Sequence, residues 1–105
     1  MTVVTVEVEI TLNTVEDVRK RILAAVESGK YAVAVDLSQV EIITTPGLGM
    51  LLQVNRVANE LDCQMVLVSP RLMVRDTLLR TQLNRVLRVV ETLGDAKKLV
   101  EPNQD

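Results

Sequence analysis

Hydrophobic and polar residues alternate along the first twelve positions of the chain. The apolar residues fall on even positions: Val4, Val6, Val8, Ile10 and Leu12. Threonine and glutamate occupy the odd positions from 5 to 11. A period of two is typical of a β-strand with one face on the core. We therefore predict one half-buried strand that runs through Leu12, with its polar side chains in solvent.

Helical spacing of the apolar residues begins after that strand. The first helix carries Val15, Val18, Ile22, Leu23 and Val26. Thr14 is predicted as its N-cap, and Gly29 is predicted to end it. A second helix is expected at about 46–61, with Thr45 as N-cap and Pro46 in the first turn. Its predicted core stripe is Met50, Leu51, Val54, Val57, Ala58 and Leu61.

Two more helices are predicted further along the chain. One opens at Pro70 and runs to about Thr81, and its apolar set is Leu72, Met73, Leu78 and Leu79. The other is capped by Thr92 and runs through Leu99 or Val100.

Between the helices lie apolar segments of β character at residues 31–37, 64–68 and 86–90. The first two show little alternation, as in strands that are covered on both faces of a parallel sheet. The order β-α-β-α-β-α-β-α predicts a single α/β domain over residues 1–105. Its core is expected to be a mostly parallel sheet of about four strands, with about four helices packed on it.

Composition and charge exclude several classes of function. Hydrophobic residues make up 48% of the chain and no apolar run approaches the roughly 20 residues that span a bilayer. The N-terminal segment lacks the basic flank of a secretory signal, so we expect a cytoplasmic protein without direct membrane insertion. The net charge is −2 and Tyr31 is the only aromatic residue, which argues against a nucleic-acid partner.

Catalytic and metal-binding residue types are scarce. The chain has no histidine, which removes histidine bases, triads and metal ligands. The single cysteine, Cys63, is interpreted as a buried hydrophobe rather than a nucleophile. Asp36 ends a predicted strand, and the alternatives for it are a cap or turn residue and a catalytic acid. Glu7 and Glu9 are interpreted as solvated charges on an edge strand. We expect no enzymatic activity, no cofactor and no metal.

The start of the second helix offers a candidate binding site. Gly47 and Gly49 lack the remaining residues of a dinucleotide or P-loop fingerprint, so close packing is preferred over a phosphate cradle. Leu48 and Leu52 lie outside the predicted stripe, either as anchors for a protein partner or as residues covered by a neighbouring element. An arginine-rich segment either forms a solvated face or contacts an acidic partner; it holds Arg71, Arg75, Arg80, Arg85 and Arg88.

The order of several segments resembles the STAS domain of bacterial anti-sigma factor antagonists. That family has an apolar strand ending in Asp-Leu-Ser, an Asp-Ser-Ser-Gly-Leu-Gly motif at a helix start, and a later strand leading to Ser-Pro. The matching pieces lie at residues 33–38, 44–49 and 66–70, with the closing strand at 83–90. Residues 8–19 fit the family's Gly-Glu-Leu-Asp segment. The resemblance implies a STAS fold, with the chain beginning after the further N-terminal strand that many members carry.

The motif departs from the family at its functional positions. The phosphoacceptor serine falls on Pro46, the preceding serine on Thr45 and the motif's aspartate on Thr44. The aspartate of the first turn region falls on Thr11. The usual phosphoserine switch is therefore expected to be absent. Thr45 or Thr44 could serve as a displaced acceptor, the alternative being that Thr45 is a simple N-cap.

The resemblance implies a non-enzymatic module for partner switching. Unphosphorylated antagonists bind a serine kinase/anti-sigma factor and free the sigma factor. The positions expected to bind the partner are Ser38, Thr44, Thr45, Gly47, Leu48, Gly49 and Leu52. The alternative is a STAS accessory subunit of a membrane transporter of the lipid-transport ABC type, where the motif often departs as well.

Overall fold

A computed structural model describes residues 1–101 of the protein. Strands and helices alternate along the chain, as predicted. The strands are β1 (Thr2–Thr5), β2 (Ala32–Asp36), β3 (Gln64–Val68) and β4 (Arg88–Val90). The helices are α1 (Val15–Val26), α2 (Thr45–Glu60), α3 (Leu72–Arg80) and α4 (Leu93–Val100), and a short 3₁₀ turn spans Leu83–Arg85. The last four residues of the predicted 1–105 domain lie outside the described part.

The strands form one sheet in the order β1-β2-β3-β4, and every neighbouring pair is parallel. The two central strands are covered on both faces. Val33, Val35, Met65 and Leu67 belong to the main core, together with buried residues of α1, α2 and α3. On the opposite face α4 packs Ala96 and Val100 against Ala32, Ala34, Val66 and Val68. This double burial explains why β2 and β3 show little alternation in the sequence.

The predicted first strand is wrong beyond Thr5. Val4, Val6 and Ile10 are buried, but Val8 is exposed and Leu12 keeps 76% of its surface in solvent. β1 pairs with β2 only over Thr2–Thr5, because β2 has just five residues to offer. Ile10 instead forms an isolated parallel bridge with Ile43, outside the strands. Alternation alone therefore overestimated the strand by several residues.

Helix ends agree with the sequence more closely than helix faces do. Thr92 caps α4, since its Oγ1 accepts a hydrogen bond from the Asp95 N–H at 3.0 Å. Thr14 is the N-cap residue of α1, although its side chain makes no capping bond. Gly29, with φ +85°, follows the end of α1. No helix among residues 1–101 is long and apolar enough to cross a membrane.

α3 buries a different set of side chains from the predicted one. Its buried residues are Val74 and Leu78. The other three residues of the predicted apolar set, Leu72, Met73 and Leu79, are exposed. The reason is that α3 lies beside the 3₁₀ turn near the β4 edge of the sheet, where only one narrow face is covered.

Candidate functional site

The loop between β2 and α2 starts with a turn closed by Asp36. The Asp36 carboxylate accepts a hydrogen bond from the Ser38 N–H at 2.9 Å, an arrangement typical of an Asx turn. Asp36 is thus a turn residue. Leu37 and Val40 are buried beneath the loop, whereas Ser38 is exposed. The loop is anchored by its apolar residues and presents its polar ones to solvent.

The second half of this loop is held by the backbone of Ile10. The Ile10 N–H donates to the carbonyl of Ile42 at 3.0 Å, and the Thr44 N–H donates to the carbonyl of Ile10 at 3.0 Å. The Thr44 hydroxyl also donates to the Ile10 carbonyl, at 3.3 Å. These bonds fix the chain immediately before α2 and occupy the Thr44 hydroxyl.

Helix α2 begins one residue earlier than predicted, and its N-cap is Thr44 rather than Thr45. Thr44 has an extended backbone (φ −104°, ψ 175°) and its carbonyl accepts from the Leu48 N–H at 3.0 Å. Thr45 and Pro46 form the exposed first turn. Proline is tolerated there because a first-turn N–H has no partner within the helix. The interpretation of Thr45 as a simple N-cap is therefore wrong.

The two glycines of the motif have different environments. A Cβ at Gly47 would lie 2.6 Å from Cγ2 of Ile10 and 2.8 Å from Cγ1 of Ile43. A Cβ at Gly49 would meet nothing within 4 Å. Gly47 thus permits close packing of α2 against the Ile10–Ile43 bridge, as the sequence suggested. Gly49 has open space around it, so the predicted close packing is wrong for this second glycine.

The buried face of α2 is rotated from the predicted stripe. Leu48, expected outside it, is 9% exposed and belongs to the main core, so it is not a surface anchor. Leu52 is partly buried against the same core, and Leu61 is exposed. Asn55, which is not part of the predicted stripe, is also buried. Its spacing of four from Leu51 and seven from Leu48 is the helical signal that could have identified it.

The predicted binding residues therefore divide into two layers. Ser38, Thr45, Pro46 and Gly49 are exposed, while Thr44 and Leu52 are half-buried. Gly47 and Leu48 lie beneath them. The exposed layer consists of backbone, hydroxyl groups and a proline ring, with no acidic residue in the first turn of α2. Such a surface is suited to contact with another protein.

Groups that could support other chemistry lie apart from one another. Residues 1–101 contain no cluster of three His, Cys, Asp or Glu side chains that could hold a metal ion. Cys63 is buried, as predicted, and burial raises the pKa of its thiol. Glu7 and Glu9 are both exposed, in agreement with their interpretation as solvated charges.

The family is decided by a match to the model of the STAS domain over residues 1–96. The chain belongs to the STAS family. The parallel sheet and the exposed motif at the start of α2 agree with the fold that the sequence resemblance implied. No curated protein sequence matches this STAS domain significantly.

Several solved structures are similar to this STAS domain. An anti-sigma factor antagonist from Mycobacterium paratuberculosis is 29% identical, with a TM-score of 0.79 over 95% of this chain and 85% of that one. A candidate anti-sigma factor antagonist from Thermotoga maritima is 23% identical, with a TM-score of 0.84 over 95% and 88%. A sulfate transporter family protein from Wolinella succinogenes is 18% identical, with a TM-score of 0.80 over 96% and 88%.

Proposed function

We propose that this STAS domain is a non-enzymatic protein-interaction module of the anti-sigma factor antagonist type, acting in the cytoplasm. Its partner is a serine kinase/anti-sigma factor. The docking surface comprises Ser38, in the loop before α2, and Thr45, Pro46, Gly49 and Leu52, in the first half of α2. Similarity to an anti-sigma factor antagonist at 29% identity supports this assignment.

The observation that carries the proposal is the exposed position of Pro46 in the first turn of α2. In the antagonists that the sequence resembles, a serine occupies this position and its phosphorylation ends partner binding. A phosphate adds roughly −1.5 to −2 charges to the contact surface. Because proline has no hydroxyl, the docking surface stays uncharged and competent to bind.

Of the two neighbouring threonines, Thr45 is the more accessible hydroxyl. Thr45 is exposed, whereas the Thr44 hydroxyl is partly buried and donates to the carbonyl of Ile10. A kinase would have to break that bond to reach Thr44. If a displaced acceptor operates, it is therefore Thr45, and the proposal of a permanently binding-competent domain requires Thr45 to remain unmodified.

Phosphorylation tests the missing switch directly. The wild type and Pro46→Ser are incubated with ATP and the host's kinase partner, and phosphate is mapped by mass spectrometry. We expect no phosphate on the wild type, and phosphate on residue 46 of the variant together with loss of kinase binding. Thr45→Val serves as the control, since it removes the accessible neighbouring hydroxyl. Phosphate on Thr45 or Thr44 of the wild type would replace the proposal with a displaced switch.

Binding to the same kinase tests the docking surface. Leu52→Asp places a charge on the half-buried edge of the surface and is expected to weaken binding by roughly tenfold or more. Leu61→Asp is the matched control, because Leu61 is exposed at the other end of α2. Circular dichroism confirms that both variants fold. If the two substitutions reduced the affinity for the kinase equally, the kinase would not bind at the proposed docking surface.

A second function is favoured by the similarity to a sulfate transporter family protein, at a TM-score of 0.80. In that case the domain is an accessory subunit of a membrane transporter, such as one driven by a lipid-transport ATPase. Affinity purification from the native host separates the two functions. A kinase-like ATPase that is lost with Leu52→Asp supports the first, and a transporter ATPase supports the second.

A further inference from the structure

Helix α3 exposes three large apolar side chains on one face. Leu72, Met73 and Leu79 keep 79%, 67% and 52% of their surfaces in solvent. At about 100° per residue they fall within an arc of about 120°, opposite the buried Val74 and Leu78. Single exposed apolar residues are ordinary on a protein surface, but several on one helix face mark an interaction site. Asp76 and Arg80 lie within the same arc and form an ion pair, so the apolar side chains border a charged pair.

A shallow groove lies on each side of this face. One is lined by Glu41, Ile42 and Ile43 of the loop before α2 and by Met73 and Thr77 of α3. The other lies between Leu79 of α3 and Asn84 of the 3₁₀ turn, and its lining includes the ion-paired Arg75 and Glu91. The exposed face is thus a ridge with a depression on either side. That shape accommodates the side chains of a second helix packed against α3.

The charge around the ridge is net positive. Positions 71–91 carry five arginines and two acidic residues, Asp76 and Glu91, and Glu41 lines the groove beside Met73. Arg80 forms an ion pair with Asp76, with 3.0 Å between Nε and Oδ2, and Arg75 forms one with Glu91. Within residues 1–101, Arg71 and Arg85 form no ion pair. Arg71 directly precedes Leu72, and Arg85 lies on the 3₁₀ turn that contacts α3.

We propose that this α3 surface, comprising Leu72, Met73 and Leu79 with Arg71 and Arg85 at its rim, binds an acidic amphipathic helix of a partner protein. The apolar face of that helix packs on the ridge, and its flanking carboxylates face the two arginines. The complementary charges select an acidic partner and speed its association. The α3 surface is separate from the docking surface at Pro46, so the domain can hold two partners.

Titration with a synthetic helix tests the proposal. The probe is a peptide of about 18 residues with leucines at helical spacing i, i+4, i+7 and i+11 and glutamates beside them. Backbone amide NMR shifts should change mainly in residues 71–86, and binding should weaken between about 50 and 500 mM salt. A peptide with lysine in place of glutamate should bind roughly tenfold more weakly or worse.

Two sets of variants locate the contact. The double variant Leu72→Ser/Met73→Ser should lose roughly tenfold or more of the affinity for the acidic peptide. Leu12→Ser is the matched control, because Leu12 is exposed to a similar degree outside α3. Leu52→Asp should leave peptide binding unchanged, so failure at the docking surface and failure at α3 are distinguishable. Equal affinity of the double variant and the wild type would overturn the proposal.

Two competing occupants are tested with the same proteins. Binding to vesicles of phosphatidylcholine with phosphatidylglycerol tests whether the α3 surface binds a membrane. Light scattering after gel filtration tests whether the protein self-associates. Vesicle binding that the double variant loses, without peptide binding, would assign α3 to anionic lipid. A dimer that the double variant converts to a monomer would assign it to a second copy. Either result overturns the acidic helix.

Discussion

Helices α2 and α3 each follow a central strand, yet they use their apolar side chains in opposite ways. α2 buries seven of its 16 residues, whereas α3 buries two of nine. α2 packs between α1 and β3, over the middle of the sheet, while α3 contacts the 3₁₀ turn beside edge strand β4. A helix over the centre of a sheet is enclosed by its neighbours. A helix near the edge keeps a free face, and here that face carries Leu72, Met73 and Leu79 beside the Asp76–Arg80 ion pair.

The largest expected effect contrasts a core leucine of α2 with the most exposed leucine of α3. Leu51 is fully buried, so Leu51→Ala should reduce the free energy of unfolding by about 2–5 kcal/mol. Leu72→Ala should change it by less than about 0.5 kcal/mol, because Leu72 is mostly in solvent. Urea denaturation measures both values. A comparable loss at Leu72 would show that α3 is covered in the folded protein.

The next effect separates the two glycines of α2. Gly47→Ala places a Cβ against Ile10 and Ile43 and should cost about 1–3 kcal/mol of stability. Gly49→Ala has open space and should stabilise the helix by about 0.5–1 kcal/mol. Thermal unfolding of the pair, side by side, gives the difference. If both variants lost stability equally, the close contact at Gly47 would not be the cause.

A smaller effect is expected at the prolines that precede or open the two helices. Pro46→Ser should cost about 0.4–1 kcal/mol, chiefly by giving the unfolded chain more freedom. Pro70→Ser before α3 should cost more, because Pro70 is buried and Pro46 is exposed. At the prolines the larger loss of stability is therefore expected before α3, whereas at the leucines it is expected in α2. Chemical denaturation of both variants checks this, and a larger loss at Pro46 would contradict it.

The smallest effect concerns the ion pair on the exposed face of α3. Asp76 and Arg80 are four residues apart and both well exposed, so Asp76→Asn should cost at most about 0.5 kcal/mol. The loss should shrink further as salt is added. Denaturation at low and high salt measures it. A loss above about 1 kcal/mol would mean that the pair is shielded from solvent, in conflict with a free α3 face.

The sequence predicted the central strands best because their burial leaves a local signature. β3 spans residues 64–68, the predicted bounds, since both of its faces are covered and its apolar run is continuous. The end of β1 was missed because it depends on the length of its neighbour. Beyond Asp36 the chain turns away, so the alternating residues from Val8 onward have no strand to pair with.

The details of the candidate site depend on contacts between distant parts of the chain. Close packing at Gly47 was predicted from its position, but its neighbour Ile10 was not. The choice of Thr44 over Thr45 as N-cap agrees with the bonds that Thr44 makes to the Ile10 carbonyl. The burial of Leu48 belongs to the same packing arrangement. A local pattern cannot reveal which face of a helix a remote segment will cover.

The backbone bonds of Ile10 have a consequence for the thermodynamics of partner binding. The segment ahead of α2 is already held in place at Ile42 and Thr44, so partner binding does not have to order this loop. The loss of conformational entropy that commonly opposes complex formation therefore occurs during folding instead. The amide protons of Ile10 and Thr44 should accordingly exchange slowly with deuterated solvent. We therefore expect the proposed docking surface to be preorganised for a partner.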